Sequence, residues 1–213
     1  MTESRKVLLL GGGGHAAVVA EAARSSGWLI AGYLDDDAGT EASASAVGMA
    51  FRGSPGELAK VMEGEAGAAV HAAVGDGELR RRWLDRAAEE GIAAATIVHR
   101  SAVVSASASI GAGVFIGPGA VVNARAEVGR GVIINSGAVV EHDCELGGFC
   151  HVGPGSVLCG KVRVGEGSLV GAGSVARAAV RIGRRVTVGA GSVVTADIGD
   201  DCRAAGVPAR VLA

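Results

Sequence analysis

The chain has 213 residues, of which 49% are hydrophobic and only 3% aromatic, and its formal net charge is −2. This balance excludes a disordered chain and gives no sign of a basic surface for nucleic acid or an anionic membrane. No apolar run at the N-terminus is long enough for a signal peptide or a membrane span, so we expect a cytoplasmic protein. The cysteines contain no Cys-x-x-Cys pair, and we expect them to be small buried side chains: Cys144, Cys150, Cys159 and Cys202.

The first hundred residues alternate short strands with helices. The predicted strands are Lys6–Leu10, Leu29–Leu34, Met49–Arg52, Ala68–Val74 and Ala93–Val98, and the predicted helices are Ala16–Arg24, Pro55–Glu63 and Glu78–Glu90. In the last helix we expect Leu79, Trp83 and Leu84 on the apolar side and Arg80 on the outer side. Such alternation is typical of a parallel α/β sheet. Residues 1–100 are therefore predicted to form a small Rossmann-like domain, about half of a complete dinucleotide-binding fold.

A glycine tract follows the first predicted strand. Gly11, Gly13 and Ala16 satisfy the pattern G-x-G-x-x-A, in which backbone N–H groups and a helix N-terminus suit a pyrophosphate. Asp35 ends the next predicted strand, where a carboxylate can reach a ribose hydroxyl. These features indicate a site for a nucleotide diphosphate. The alternatives are a simple tight turn beside a solvated His15 and a solvated loop at Asp35–Asp37.

Residues 101–213 are dominated by a period of six. Steps of six from Val104 to Val194 give sixteen positions, of which fifteen are Val, Ile or Leu and only Ala176 differs. The residue two before each position is small or Val, and the residue after it is usually Gly. We interpret this glycine as a residue that tolerates the unusual backbone conformation of the turn. Such hexads predict a parallel β-helix with three hexads in each coil, so that residues eighteen apart stack. We expect the tail at Gly206–Arg210 to cover the open end of this β-helix.

Two histidines occur among the hexads. His142 is placed to point away from the interior, and Glu141 and Asp143 flank it. A carboxylate that accepts from one ring nitrogen raises the basicity of the other, so this pattern favours a general base over ordinary surface chemistry. His151 lies half a coil further on and is a candidate for a ligand contact. A catalytic metal site needs a third histidine that the coils do not offer, so no metal is expected.

Several motifs occur in one order along the chain: GGGGH at Gly11–His15, Asp35-Asp36, Val74–Asp76 ahead of Leu79-Arg80, Glu141–Cys144, Cys150–Gly153 and the tail Gly206–Arg210. Through these motifs the chain resembles the bacterial sugar acyltransferases of the hexapeptide class, in particular the nucleotide-sugar amino N-acetyltransferases of the bacillosamine and perosamine pathways. The acid after the histidine, Asp143, is more similar to the perosamine enzymes.

The resemblance implies a left-handed β-helix that forms a homotrimer, with its active site between neighbouring subunits. It also implies that the protein transfers an acetyl group from acetyl-CoA, without a metal, to the amino group of a nucleotide-linked sugar of the 4-amino-4,6-dideoxy type. His142 would be the general base and Asp143 would orient it. The nucleotide sugar would be held by Gly13, Gly14, His15, Asp35, Asp36 and Gly75, and acetyl-CoA by His151, Gly160, Ala172 and Ala190.

Other functions remain open from the sequence alone. The nearest alternative is a sugar O-acetyltransferase of the sialic-acid type, which would use the same base. An NAD-dependent enzyme would use the glycine tract, but the half-size domain argues against it. A structural β-helix with a nucleotide-sensing domain is a third possibility. An alternative to direct transfer is that Cys144 acts as a nucleophile and carries the acyl group, although its hexad position faces the interior.

Overall fold

The computed structural model describes residues 5–37 and 41–212. The chain divides into two compact units, Met1–Arg100 and Ser101–Ala213. Among the described residues, no helix is both long enough and apolar enough to cross a membrane.

The first unit is a parallel sheet with helices between its strands. Its elements are β1 (Lys6–Leu10), α1 (Gly14–Ser25), β2 (Leu29–Leu34), α2 (Glu41–Ala46), a 3₁₀ turn (Pro55–Glu57), α3 (Leu58–Glu63), β3 (Ala69–Ala72), α4 (Gly77–Glu89) and β4 (Ile97–Val98). The sheet has three strands in the order β2-β1-β3, with β4 outside it, and single parallel bridges extend it at Phe51 and Ala94. The central strand β1 is aliphatic and Val7–Leu10 is fully buried, as parallel sheets require. The predicted α/β class is confirmed, whereas α2 was not predicted because its sequence has no apolar period.

One helix prediction is wrong in an instructive way. Asp76 caps α4 by accepting a 2.7 Å hydrogen bond from the N–H of Leu79. Arg80, which we expected on the outer side, is completely buried. Its Nη1 donates to the carbonyl oxygens of Val74 and Gly75, each at 3.0 Å. The guanidinium therefore satisfies backbone carbonyls after β3, a requirement that the polarity pattern of a helix does not show.

The second unit is built almost entirely of two-residue strands. They are β5 (Val103–Val104), β6 (Ser109–Ile110), β7 (Phe115–Ile116), β8 (Val121–Val122), β9 (Glu127–Val128), β10 (Ile133–Ile134), β11 (Val139–Val140), β12 (Glu145–Leu146), β13 (His151–Val152), β14 (Val157–Leu158), β15 (Arg163–Val164), β16 (Leu169–Val170), β17 (Val175–Ala176), β18 (Arg181–Ile182), β19 (Thr187–Val188) and β20 (Val193–Val194), followed by β21 (Arg203–Gly206) and β22 (Ala209–Val211).

These strands form three parallel sheets around one aliphatic column. Sheet I contains β7, β10, β13, β16 and β19; sheet II contains β5, β8, β11, β14, β17 and β20; sheet III contains β6, β9, β12, β15 and β18. Each strand pairs with the strand eighteen residues away, as Val152 pairs with Ile134 and Val170. Buried serines such as Ser156 donate to a carbonyl of the next coil, that of Gly171, at 2.8 Å. The predicted β-helix is confirmed, together with its eighteen-residue stacking.

The reason we gave for the recurrent glycine is wrong. Positive φ occurs three residues after fourteen of the sixteen hexad positions, for example at Gly173 (+66°), and not at the residue that directly follows the hexad position. That residue is Gly because the next coil lies too close. A Cβ at Gly171 would be 2.6 Å from the nitrogen of Ala190 and from the oxygen of Val188. The hexad glycine therefore reflects the spacing between coils, and the turn backbone is accommodated elsewhere.

The tail continues sheet I. Strand β21 pairs in parallel with β19, and β22 then turns back antiparallel to β21. Ile198 also bridges to Ile182 at the end of sheet III. The tail predicted to cover the open end, Gly206–Arg210, thus lies in a hairpin that extends one sheet.

Alanine substitutions at two glycines of one turn test whether the spacing between coils requires glycine. We expect Gly171→Ala to lower stability by about 3 kcal/mol or more, because the new Cβ meets backbone atoms that move only if a whole coil moves. Gly173→Ala is the matched control, since a Cβ there faces open space and only the positive φ opposes it, at about 1 kcal/mol. Thermal unfolding followed by circular dichroism compares the two variants. Equal losses would contradict the explanation.

Candidate active site

An open cleft in the first unit brings together all six residues that the sequence analysis assigned to the nucleotide sugar: Gly13, Gly14, His15, Asp35, Asp36 and Gly75. Its volume is about 740 Å³, which is within the usual range for small-ligand sites. Leu79 and Trp83 of α4 line the same cleft and provide apolar contact surface. Neither was predicted as a site residue, because they were assigned to the apolar side of the helix.

The glycines of this cleft have different physical roles. Gly11 has φ +112°, and a Cβ there would be 2.8 Å from Cγ1 of Val74, so it is required for packing. A Cβ at Gly14 or at Gly75 would meet nothing within 4 Å. Gly13 precedes α1, and the first turn of that helix contains no acidic residue. The start of α1 lines the cleft through Gly13, Gly14 and His15, and a helix N-terminus suits a negatively charged group.

Asp35 has a structural role in addition to any ligand contact. Its Oδ2 accepts a 2.7 Å hydrogen bond from the N–H of Gly12, and its Oδ1 accepts one of 3.0 Å from the N–H of Asp37. Each carboxylate oxygen has a second lone pair, so a ribose contact is compatible with this geometry. The carboxylate thus ties the end of β2 to the glycine tract, while Asp36 is exposed beside it.

In the β-helix, one corner differs from the other two. We call the turns that follow the sheet II strands the II–III corner. The residue directly after the aliphatic position is not Gly in any coil at this corner: Ser105, Asn123, Glu141, Cys159, Arg177 and Thr195. After the sheet III strands the same position is Gly in every coil: Gly111, Gly129, Gly147, Gly165 and Gly183. The II–III corner therefore has side chains where the other corners have almost only backbone.

His142, Asp143 and Arg125 form a hydrogen-bonded group at this corner. Nδ1 of His142 lies 2.7 Å from Oδ2 of Asp143. From the preceding coil, Arg125 donates through Nε to Oδ1 at 2.7 Å and through Nη2 to Oδ2 at 2.9 Å. Arg125 was missed in the sequence analysis, although it lies eighteen residues before Asp143 and the repeat predicts that two such residues stack.

The geometry determines which nitrogen of the imidazole is available. The guanidinium of Arg125, and then the hydrogen bond from His142, hold the pKa of Asp143 well below its usual range. An ionised carboxylate only accepts hydrogen bonds, so Nδ1 of His142 carries the hydrogen and Nε2 of the neutral ring has the lone pair. Half of the side chain is exposed, and no described residue hydrogen-bonds to Nε2. Glu141, the other flanking acid, accepts instead from the backbone N–H of His142 at 3.3 Å.

Small residues surround the imidazole in the adjacent coils. The equivalent positions are Ala124 in the coil before and Gly160 in the coil after. A Cβ at Gly160 would lie 2.6 Å from both Cε1 and Nε2 of His142. Gly160 was predicted to contact acetyl-CoA, and the structure shows that the absence of a side chain there leaves room for the imidazole of His142.

The other residues assigned to acetyl-CoA lie elsewhere on the coil. Ala172 and Ala190 are exposed and stack in the turns between sheets I and II. His151 projects from β13 of sheet I, and its Nε2 is 3.1 Å from Nδ2 of Asn135. Sheet I is the side of the coil opposite the II–III corner. Within one chain, His151 is therefore not beside His142.

Cys144 is a poor nucleophile in this environment. Its side chain is buried, and its Sγ donates to the carbonyl oxygen of Cys159 at 3.3 Å. Burial raises the pKa of the thiol to about 11. The four cysteines are all free thiols. In the described part of the chain, no group of three or more His, Cys, Asp or Glu residues is arranged to hold a metal ion.

Comparison with known families and structures agrees with this architecture. The family model of the PglD N-terminal domain matches residues 6–87, and that of the bacterial transferase hexapeptide repeats matches residues 107–142 and 161–196. No curated protein sequence matches significantly.

Solved structures match over nearly the whole chain. PerB from Caulobacter crescentus, a perosamine N-acetyltransferase crystallised with CoA and GDP-perosamine, is 39% identical with a TM-score of 0.92, over 98% of this chain and 97% of that one. The acetyltransferase domain of PglB from Neisseria gonorrhoeae, crystallised with acetyl coenzyme A, is 36% identical with a TM-score of 0.89, over 98% and 100%. WeeI from Acinetobacter baumannii, at 20% identity and a TM-score of 0.84 over 98% and 100%, shares the fold. With this identity over nearly the full length of PerB, the chain belongs to the hexapeptide-repeat sugar acyltransferase family and is an acyltransferase.

Proposed function

We propose that this protein transfers the acetyl group of acetyl-CoA to the amino group of a nucleotide-linked amino sugar of the 4-amino-4,6-dideoxy type. The observation that supports this most directly is the ordered His142–Asp143 pair with Nε2 of the imidazole open to solvent. The relatives support the choice of substrates, since PerB was crystallised with CoA and GDP-perosamine and the PglB domain with acetyl coenzyme A. The cleft of the first unit, with the N-terminus of α1 beside Asp35 and Asp36, is the proposed site for the nucleotide part.

The proposed reaction is a direct transfer. Nε2 of His142 takes a proton from the sugar amine as the amine nitrogen attacks the thioester carbonyl carbon. The C–N bond forms, the C–S bond breaks, and the imidazolium returns the proton to the CoA sulfur. Asp143 holds the ring in place and stabilises the imidazolium. The acetyl oxygen would be stabilised by a backbone N–H or by His151. Because His151 projects from sheet I, the second option requires the histidine of another subunit.

The substrate assignment is tested by a screen that measures CoA thiol release. GDP-, UDP- and dTDP-linked 4-amino-4,6-dideoxy sugars are compared with sialic acids, which are the substrates of the alternative O-acetyltransferase. We expect release only with an amino-sugar nucleotide, and the product to be an amide that resists mild alkali. Release with sialic acid alone would favour O-acetylation. If none of the tested sugars causes CoA release, the alternative of a structural β-helix with a nucleotide-sensing domain is supported.

His142→Asn is expected to lower kcat at least about a hundredfold, because general-base assistance is worth about 10² to 10⁴ in rate. Acetyl-CoA binding, measured by calorimetry, is expected to be nearly unchanged. Cys144→Ala is the matched comparison, since it removes the competing nucleophile from the same turn; a buried thiol with a raised pKa contributes nothing to direct transfer, so its rate is expected to be normal. A full rate for His142→Asn would exclude the base, and a large loss for Cys144→Ala would favour an acyl-cysteine.

We propose that the protein is a homotrimer. The outward residue of every sheet II strand is valine: Val103, Val121, Val139, Val157, Val175 and Val193. Val103 is 63% exposed and Val175 is 37% exposed in the single chain. An apolar column of this length favours contact with another subunit. The mass in solution, measured by light scattering, is expected to be three times the chain mass of 20.9 kDa. An active monomer would contradict this assembly and the location of the site between subunits.

The cytoplasmic location is also part of the proposal. It is supported by the four cysteines, which are free thiols, since secreted proteins commonly form disulfides.

A further inference from the structure

We propose that Arg125 is a positioning residue, which holds Asp143 in place and thereby sets the orientation and the protonation range of the His142 imidazole. This inference deepens the proposed function and rests on it for the activity measurement. Its titration measurement needs no substrate.

The geometry indicates that Arg125 restrains the side chain of Asp143. Arg125 binds both oxygens of Asp143, which is the strongest form of an arginine–carboxylate pair. Both residues have φ of +59°, a backbone region that side chains rarely adopt and that is occupied by Gly at many equivalent turn positions. The two side chains stack because one coil separates them. Asp143 therefore has little freedom to rotate away from the ring.

The guanidinium also acts on the imidazole electrostatically. Oδ2 of Asp143 accepts from Nη2 of Arg125 and from Nδ1 of His142 at the same time. A carboxylate whose charge is shared with a guanidinium attracts the imidazolium proton less strongly, and the nearby cation repels it. Both effects favour the neutral ring, which is the form that acts as a base. The other charged groups around the pair are Glu141, Glu145, Lys161, Arg163, Arg181 and Asp197.

The chain offers a control with the same geometry. Arg185, with φ of +52°, donates through Nε and Nη2 to the two oxygens of Asp201 at 2.6 and 2.7 Å. It lies in the turn after β18, away from the II–III corner. Replacing Arg185 removes an equivalent exposed ion pair and an equivalent charge, but no histidine is hydrogen-bonded to Asp201.

The experiment compares Arg125→Met, Arg125→Lys and Arg185→Met in the full-length protein. Histidine titrations are followed by NMR in the free enzyme, and the His142 signal is assigned with His142→Asn. We expect Arg125→Met to move the titration midpoint of His142 upward by about half a pH unit to one unit. Arg125→Lys keeps the charge and is expected to move it less, and Arg185→Met is expected to leave it unchanged.

Activity supplies the second measurement. In Arg125→Met the acidic limb of the kcat profile is expected to move upward with the titration, so that activity at neutral pH falls and is partly recovered at higher pH. KM for acetyl-CoA is expected to stay the same. A purely structural role for Arg125 would lower kcat equally at every pH.

Two results would overturn the proposal: an unchanged His142 midpoint in folded Arg125→Met, or an equal shift in Arg185→Met. Failure of the proposed function is distinguished from both. If the wild type transfers acetyl to no sugar nucleotide while the titration shift is present, the substrate assignment fails and the role of Arg125 in setting the imidazole stands.

Discussion

The parallel pairing of residues eighteen apart is the constraint on which the second unit depends. Because successive coils are stacked in register, every side chain at a corner has its neighbours determined by the residues one coil before and one coil after it. The same rule that places Gly171 against the backbone of Ala190 places Arg125 against Asp143 and Gly160 against His142. Packing and site chemistry are therefore two consequences of one repeat.

The same constraint explains why polar side chains are concentrated at the II–III corner. Where Gly follows the aliphatic residue, the backbone of the next coil fills the space that a side chain would need. At the II–III corner each coil instead has a side chain there, and the small residues Ala124 and Gly160 leave an opening around one imidazole. An exposed ion pair is normally worth little, but here its rigid partner controls the direction of a hydrogen bond. Orientation, more than stability, is what the ion pair contributes.

Much of the fold and of the candidate site could be predicted from the sequence, because a strict repeat determines which residues stack on each other in neighbouring coils. The β-helix, the stacking interval and the inward position of Cys144 all followed from the hexads. Arg125 could have been found by counting eighteen residues back from Asp143, and the absence of Gly at the II–III corner could have been read in the same way. The burial of Arg80 could not, because it depends on where the carbonyls of Val74 and Gly75 point after β3. The reason for the glycine after each hexad position could not be predicted either, because the repeat pattern does not give the distance between stacked coils.

The outward residues provide a last distinction. All three sheets have equivalent aliphatic interiors, so stability of the β-helix makes the same demand on each of them. Their exteriors nevertheless differ: sheet II has valine in every strand, whereas sheet III has Glu127, Glu145, Arg163 and Arg181 in successive coils. Packing of the aliphatic interior alone does not require the outward residues of sheets II and III to differ. The valine face of sheet II is the surface that the proposed homotrimer would cover, the face of sheet III is charged, and His142 lies at the corner where the two faces meet.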